Sequence, residues 1–573
     1  MRRRRPALAL GLVLALAPLT VAAETATPPM NAGAYLAARN AASHGDYPAA
    51  AYWFAQALKA DPGNVALLEG ATISAMGTGD FTAAARYARL LSDKGDKGQV
   101  GTLALVTEAT KRGDYSGLQK LHAAGRTGGA LFDVLTAAWA TAGAGEMTDA
   151  ISAFETIAKN PEQSLFGAYH QALALASAGD FEGADRVLSS DAGLEARALR
   201  RAVLAHVEIL SQLERNEEAI ALLDEAFVAG QDPTAIGLRE RLANGEALPW
   251  TIVQTPEQGM AEVFYTLATA LRGEQGGSGY SLLLSRATAY LRPDHAEALL
   301  TAATLLNGDG QPELAAETYA QVPTTAPEHY LAEMGRAETL MAAGKPDAAL
   351  EVMQSLARAY PKLRSVHATY GDMLRREEKF EDAAKAYDAA IALIPTPEAD
   401  DWRLFFSRGI CHERQKRWPQ AEADMRKALE LSPDQAQVLN YLGYSMLEMN
   451  QNLEEALQLI ERAVKAQPDS GAITDSLAWA YFRLGRYEDA VAPMERASMM
   501  EPVDPVVTDH LGDVYWAVGR KLEAQFQWRR ALSYEPEEKD ATRIRRKLEV
   551  GLDKVLAEEG AAPLETRNAA NDN

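Results

Sequence analysis

Prolines recur along the second half of this chain at a spacing that few folds produce. They stand at Pro293, Pro327, Pro361, Pro395, Pro433, Pro468, Pro502 and Pro536, separated by 34, 34, 34, 38, 35, 34 and 34 residues. Glycines do the same in the first half, at Gly45, Gly79, Gly113, Gly145 and Gly179, with intervals of 34, 34, 32 and 34. A fixed period of this length marks a small supersecondary unit that cannot bury its own apolar face. Such units stack on copies of themselves.

The residues within one period name the unit. Leu477, Ala478 and Tyr481 share one face of a helix by their three- and four-residue spacing. Gly485 closes that helix, because glycine accepts the left-handed conformation a helix end requires. Tyr487, Ala490, Met494 and Ala497 make the apolar stripe of a second helix, and Pro502 stops it for want of an amide hydrogen. Ala478, Ala490 and Ala497 are small where two backbones approach most closely. Each period is therefore expected to be a pair of amphipathic helices joined by a tight turn.

The anchors resemble those of the tetratricopeptide repeat: Gly45, Tyr47, Ala50, Phe54, Ala57 and Pro62 in the first unit, and Leu511, Gly512, Tyr515, Gly519, Ala524, Trp528, Ala531 and Pro536 in the last. The resemblance implies an all-α solenoid of helix-turn-helix units wound as a right-handed superhelix. Its period runs through most of the chain, strongly after Ala261 and more patchily between Asp93 and Gly245.

The spacing predicts six units over residues 31–245 and eight over residues 261–537. Pro249, Trp250, Pro256 and Gly259 interrupt the helical pattern, so residues 246–260 read as a linker between two arrays. Residues 273–279, rich in glycine, read as a long turn; the strand and Lys-Ser/Thr of a phosphate loop are missing. Residues 538–557 read as a charged capping helix over the last apolar face, and 558–573 as a disordered tail.

The first residues set the expected compartment. Four arginines at positions 2–5 precede an apolar run at 7–19, with Pro18 near its end, then Val21, Ala22 and Ala23 before Glu24. This reads as a cleaved signal peptide over residues 1–23, too short to span a bilayer comfortably, and no lipid-attachment cysteine follows it. A Gram-negative periplasm is the expected location, with no direct membrane span. The formal net charge of −22 repels phosphate backbones, so nucleic acid is a poor partner.

The sequence argues against chemistry. Cys411 is the only cysteine, which excludes an internal disulfide and a cysteine-built zinc site. The nine histidines form no metal-ligand pair at helical spacing, and Cys411 and His412, being adjacent, point to different sides of a helix. No nucleophile elbow, Walker loop or dinucleotide fingerprint is present. A non-enzymatic chain without cofactor or metal is expected, one that binds other proteins.

Repeats of this type line their concave face with the first helix of each unit. Helical phase places Asn440, Tyr444, Asp475, Trp479, Asp509, Asp513 and Trp516 on or near that face, a set of aromatics beside amide and carboxylate groups suited to an extended peptide. The opposing reading of Trp479 and Trp516 is that they fill the space between adjacent helices. Arg375, Arg376, Arg403 and Arg414 are candidate cationic contacts. Carboxylates at 475, 509 and 513 would repel a terminal carboxylate, so a carboxylate clamp is disfavoured.

The graded series Asn440-Tyr441-Leu442-Gly443-Tyr444, Asp475-Ser476-Leu477-Ala478-Trp479 and Asp509-His510-Leu511-Gly512-Asp513-Val514-Tyr515-Trp516 resembles the C-terminal repeats of large exported bacterial tetratricopeptide proteins, over roughly residues 402–536. Some members of that family are outer-membrane lipoproteins that dock carboxyl-terminal processing proteases and deliver substrates to them. The resemblance implies an envelope adaptor with a periplasmic protease among its partners. The alternative is a structural scaffold in envelope or polysaccharide assembly.

Overall fold

A computed structural model describes residues 32–228, 232–273, 277–561 and 564. The signal peptide expected at residues 1–23, most of the tail expected at 558–573 and the centre of the 273–279 turn lie outside the described residues. Among the described residues there are 32 α-helices, one short 3-10 turn and no strand. Six helical hairpins precede Gly245, and eight follow between Pro256 and Leu532. The charged segment after them forms the helices Glu538–Val550 and Leu552–Glu558.

The turn inside the early hairpins is written Gly-Asp-aromatic. Gly45, Gly79, Gly113 and Gly179 take positive φ of 67°, 88°, 67° and 87°, which ends the first helix. The aspartate that follows caps the second: Asp46, Asp80, Asp114 and Asp180 accept from the amides of Ala49, Ala83, Gly117 and Gly183 at 2.8–3.0 Å. Each such cap is worth about 1 kcal/mol. Later hairpins use a different closure. Arg462, Arg496 and Arg530 donate to the carbonyls of Pro433, Pro468 and Pro502 at 2.6–2.8 Å, so the proline that stops one unit is gripped by the next.

The chain divides into two compact units, residues 1–366 and 367–573. In the first unit, the helices Val65–Thr78, Gln99–Lys111, Ala130–Gly143 and Ser164–Ser177 open successive hairpins and form an inner layer. The helices Pro256–Leu271 and Ser278–Leu291 pack onto that layer. Phe264 stacks on Phe132 with centroids 5.6 Å apart, and Gly259 rests against the indole of Trp139, where a Cβ would approach ring atoms to 2.4 Å. Arg286 donates to the carbonyl of Gly77 at 3.1 Å. The inner face of this unit is therefore covered by the chain itself.

Charge reinforces the closure. Glu262, almost wholly buried, accepts from Arg201 at 2.8–3.0 Å and from the Tyr169 hydroxyl at 2.9 Å. Burial alone would raise the Glu262 carboxyl, but Arg201 and His295 hold it far below the usual carboxylate range. Arg201 also reaches Glu297, while Arg200 binds Asp232, Glu297 and Glu328.

The linker expected at residues 246–260 is instead part of the first unit's core. Leu248, Ile252 and Val253 are buried. Thr251 donates from its amide to Glu208 at 2.7 Å, and Ser177 donates to the Val253 carbonyl at 2.7 Å. Its prolines do interrupt the helix, as sequence reasoning required. A break in local periodicity, however, says nothing about where the segment's apolar side chains find cover. The compact division falls more than a hundred residues later, after Val366.

Candidate functional site

The second unit keeps an open groove on its inner face. Its first helices are Trp402–Arg414, Ala436–Glu448, Gly471–Arg483 and Pro505–Ala517. Small residues let each pack tightly on its own hairpin partner: a Cβ on Gly443 would meet Ile460 at 2.8 Å, and one on Gly512 would meet the Trp528 indole at 2.4 Å. The faces turned the other way enclose a cavity of about 460 Å³.

Asn440, Tyr444 and Glu448 stand four residues apart on one helix and project together into this cavity. Glu413 and Arg414 from the preceding repeat, Ala472, Asp475 and Ser476 from the next, and Asp504, Val506 and Val507 from the one after complete the lining. Tyr441 donates its hydroxyl to Glu413 at 3.0 Å. The Asn440 side-chain oxygen is buried and accepts no hydrogen bond from the protein. Burial pushes the Tyr444 phenol well up, with Glu448 and Asp475 adding to the effect, so it stays a neutral donor at any physiological pH.

Behind the groove lies a supporting layer. Asp475 faces the Nδ1 of His510 at 3.0 Å, and His510 stacks on Trp479 with centroids 4.0 Å apart. Trp479 stacks on Phe482 at 4.7 Å and donates its indole N–H to Glu448 at 3.2 Å. Burial pulls the His510 imidazole down, but the Asp475 carboxylate more than reverses this and leaves it raised.

Four of the residues singled out from sequence line the cavity: Asn440, Tyr444, Asp475 and Arg414. Trp479 is buried between neighbouring helices, the arrangement its packing reading required. Trp516 packs at a tilt against Trp528, centroids 5.3 Å apart, and donates to Asp553 at 2.8 Å.

Asp509 and Asp513 depart furthest from the sequence reading. Both lie beneath the helix Glu538–Val550, where the fully buried Lys547 ammonium lies 2.7–2.8 Å from all four of their oxygens. Trp528 donates to Asp513 at 2.9 Å, and Arg543 lies 3.4 Å away. These carboxylates anchor the helix Glu538–Val550 and are covered by it. Helical phase put them on the correct side of their own helix, but could not show that a later helix covers that side.

Of the candidate arginines, Arg375, Arg376 and Arg403 do not line the cavity. Arg375 lies 3.3 Å from the Tyr387 hydroxyl and 3.7 Å from Asp372; Arg376 is exposed; Arg403 is exposed over Trp402. Arg414 holds its guanidinium 5.3 Å from the Phe380 ring. Sequence reasoning missed Glu413, Glu448, Asp504, Val506 and Val507. Glu448 was the one within reach, since it stands one turn beyond Tyr444.

Cys411 is buried, which pushes its thiol up to about 12 and makes it a poor nucleophile. Among the described residues, no three His, Cys, Asp or Glu side chains are grouped to hold a metal ion. No helix there is long and apolar enough to cross a membrane.

A tetratricopeptide-repeat family model matches residues 300–364, 370–436 and 446–498. The TPR repeat-containing protein PA4667 of Pseudomonas aeruginosa is 28% identical over 28% of this chain and 26% of its own length. The E3 ubiquitin-protein ligase CHIP of Arabidopsis thaliana is 32% identical over 16% of this chain and 33% of its own. The chain thus spans about a quarter to a third of the curated relatives it matches. Among solved structures, the APC/C hetero-tetramer Cut9-Hcn1 aligns over 91% of this chain and 96% of its own at 14% identity and TM-score 0.38. A tetratricopeptide repeat protein from Parabacteroides merdae aligns over 45% and 98% at 17% identity and TM-score 0.37. With its stacked helical hairpins and absence of strands among the described residues, the fold is the all-α tetratricopeptide-repeat type.

Proposed function

We propose that this chain is a non-catalytic protein-interaction scaffold that takes an extended polypeptide segment into the groove of residues 367–573. The observation that carries the reading is the cavity itself, into which Asn440, Tyr444 and Glu448 project together from one helix beside the apolar Met449, Val506 and Val507. Tyr441, Tyr444, Met449, Val506 and Val507 supply apolar cover for the segment's side chains, as strand-like ligands require.

The setting is part of the same proposal. The basic and apolar residues 2–19 support export to a bacterial periplasm, and the Asn440, Asp475 and Asp509 series supports an adaptor role beside a carboxyl-terminal processing protease. The first unit, with its inner face occupied by its own helices, supports a second contribution, that of a rigid spacer.

Crosslinking in intact cells, read by mass spectrometry, tests the proposal. The native chain is expected to yield a specific set of envelope proteins that Asn440→Ala and Tyr444→Ala deplete. An unchanged partner profile in both variants defeats the groove assignment.

A further inference from the structure

The groove's charge is one-sided. Glu413, Glu448, Asp475 and Asp504 all line the cavity, against one cationic lining residue, Arg414, whose guanidinium lies near the Phe380 ring. Asp475 has His510 as partner, and Glu448 lies 3.5 Å from Arg483 while its side chain remains half exposed. Glu413 and Asp504 have no cation within ion-pair distance among the described residues: Glu413 accepts only the Tyr441 hydroxyl, and Asp504 only the amides that open its helix. Asp540 adds a further negative charge acting on Tyr444.

The rest of the lining decides what kind of cation fits. Met449, Ala472, Val506 and Val507 are apolar, and the rings of Tyr441 and Tyr444 line the same cavity as the carboxylates. A lysine or arginine side chain buries its aliphatic stem on such a wall, can set its charged head over a tyrosine face, and ends among carboxylates. An acidic segment would meet like charge in a partly desolvated groove, which disfavours it against a basic one.

Resting on the reading that this groove takes a polypeptide, we infer that it selects segments in which lysine or arginine alternates with apolar residues. Free carboxyl termini and acidic segments are excluded by the same charges.

The test is selection of a displayed random dodecapeptide library on the whole chain, followed by binding measurements on synthetic copies of the enriched peptides. Enrichment of basic-apolar sequences is expected, with affinity falling about tenfold in Glu413→Gln/Glu448→Gln and again as salt is raised. Both substitutions keep an acceptor oxygen for Tyr441 and Trp479, so the loss reports charge rather than folding. Enriched peptides that need Tyr444 but carry no excess of lysine or arginine overturn the charge selection and leave the groove standing. Peptides indifferent to Asn440→Ala and Tyr444→Ala, or no enrichment, overturn both.

Discussion

The two units use the same helical hairpin and do opposite things with its inner face. In residues 1–366 the helix Gln99–Lys111 is buried almost all round, from Gly101 to Thr110, because the Pro256–Leu271 and Ser278–Leu291 helices lie against it. In residues 367–573 the equivalent helix Ala436–Glu448 buries Val438, Leu439, Leu442 and Met446 but leaves Asn440, Tyr444 and Glu448 lining a cavity. One face has become core, and the other has stayed a surface. A helix with apolar residues on every side needs cover on every side. The difference teaches that repeat architecture supplies a potential binding surface, while the chain's own later helices determine whether it remains one.

Glu262→Leu is the harshest challenge to this contrast. It leaves the buried Arg201 with Glu297 as its remaining carboxylate partner and removes the acceptor of Tyr169, and should cost residues 1–366 about 3 kcal/mol. Hydrogen exchange should localise the loss to that unit and leave groove binding intact. Equal loss in both units would break the comparison.

Lys547→Met should cost residues 367–573 about 3 kcal/mol by leaving Asp509 and Asp513 buried without their ammonium. Burial already raises Asp509, Lys547 pulls it back down, and the neighbouring Asp513 carboxylate adds to the rise. A raised carboxylate favours its protonated form in the folded state, so the penalty grows as pH rises through that value. The gap in Tm between variant and native chain should therefore narrow as pH falls towards 4.

Tyr444→Ala sharpens the comparison without unfolding anything. Peptide affinity should fall by about 2 kcal/mol, roughly thirtyfold, as expected for a central aromatic contact. Thermal unfolding of residues 1–366 should not move.

The smallest effect belongs to His510. Its folded-state value is raised above the usual 6.5, so its bond to Asp475 contributes fully below pH 6.5 and is lost as pH climbs through the raised value. Against His510→Gln, the native chain should lose relative stability as pH rises above 6.5. A flat difference would detach the supporting layer from the groove's electrostatics.

The hairpins were legible in the chain because their signals are local. Gly485 does lie in the left-handed region at φ 78°, and Tyr487, Ala490, Met494 and Ala497 are all buried, as their spacing required. The groove was legible in part. Asn440, Tyr444 and Asp475 line it because helical phase locates a face, but Glu413 and Asp504 come from the ends of other helices and share no sequence pattern with them.

Periodicity, turn residues and caps act within a few residues of one another, so the amino-acid order alone determined the helices, their pairing and the all-α repeat. Which inner face stays open, and whether Asp509 meets a guest or Lys547, depends on contacts between residues far apart in the chain. Those contacts are made by non-directional burial and by charges seeking partners, and neither leaves a periodic mark. Only the tertiary structure could decide them.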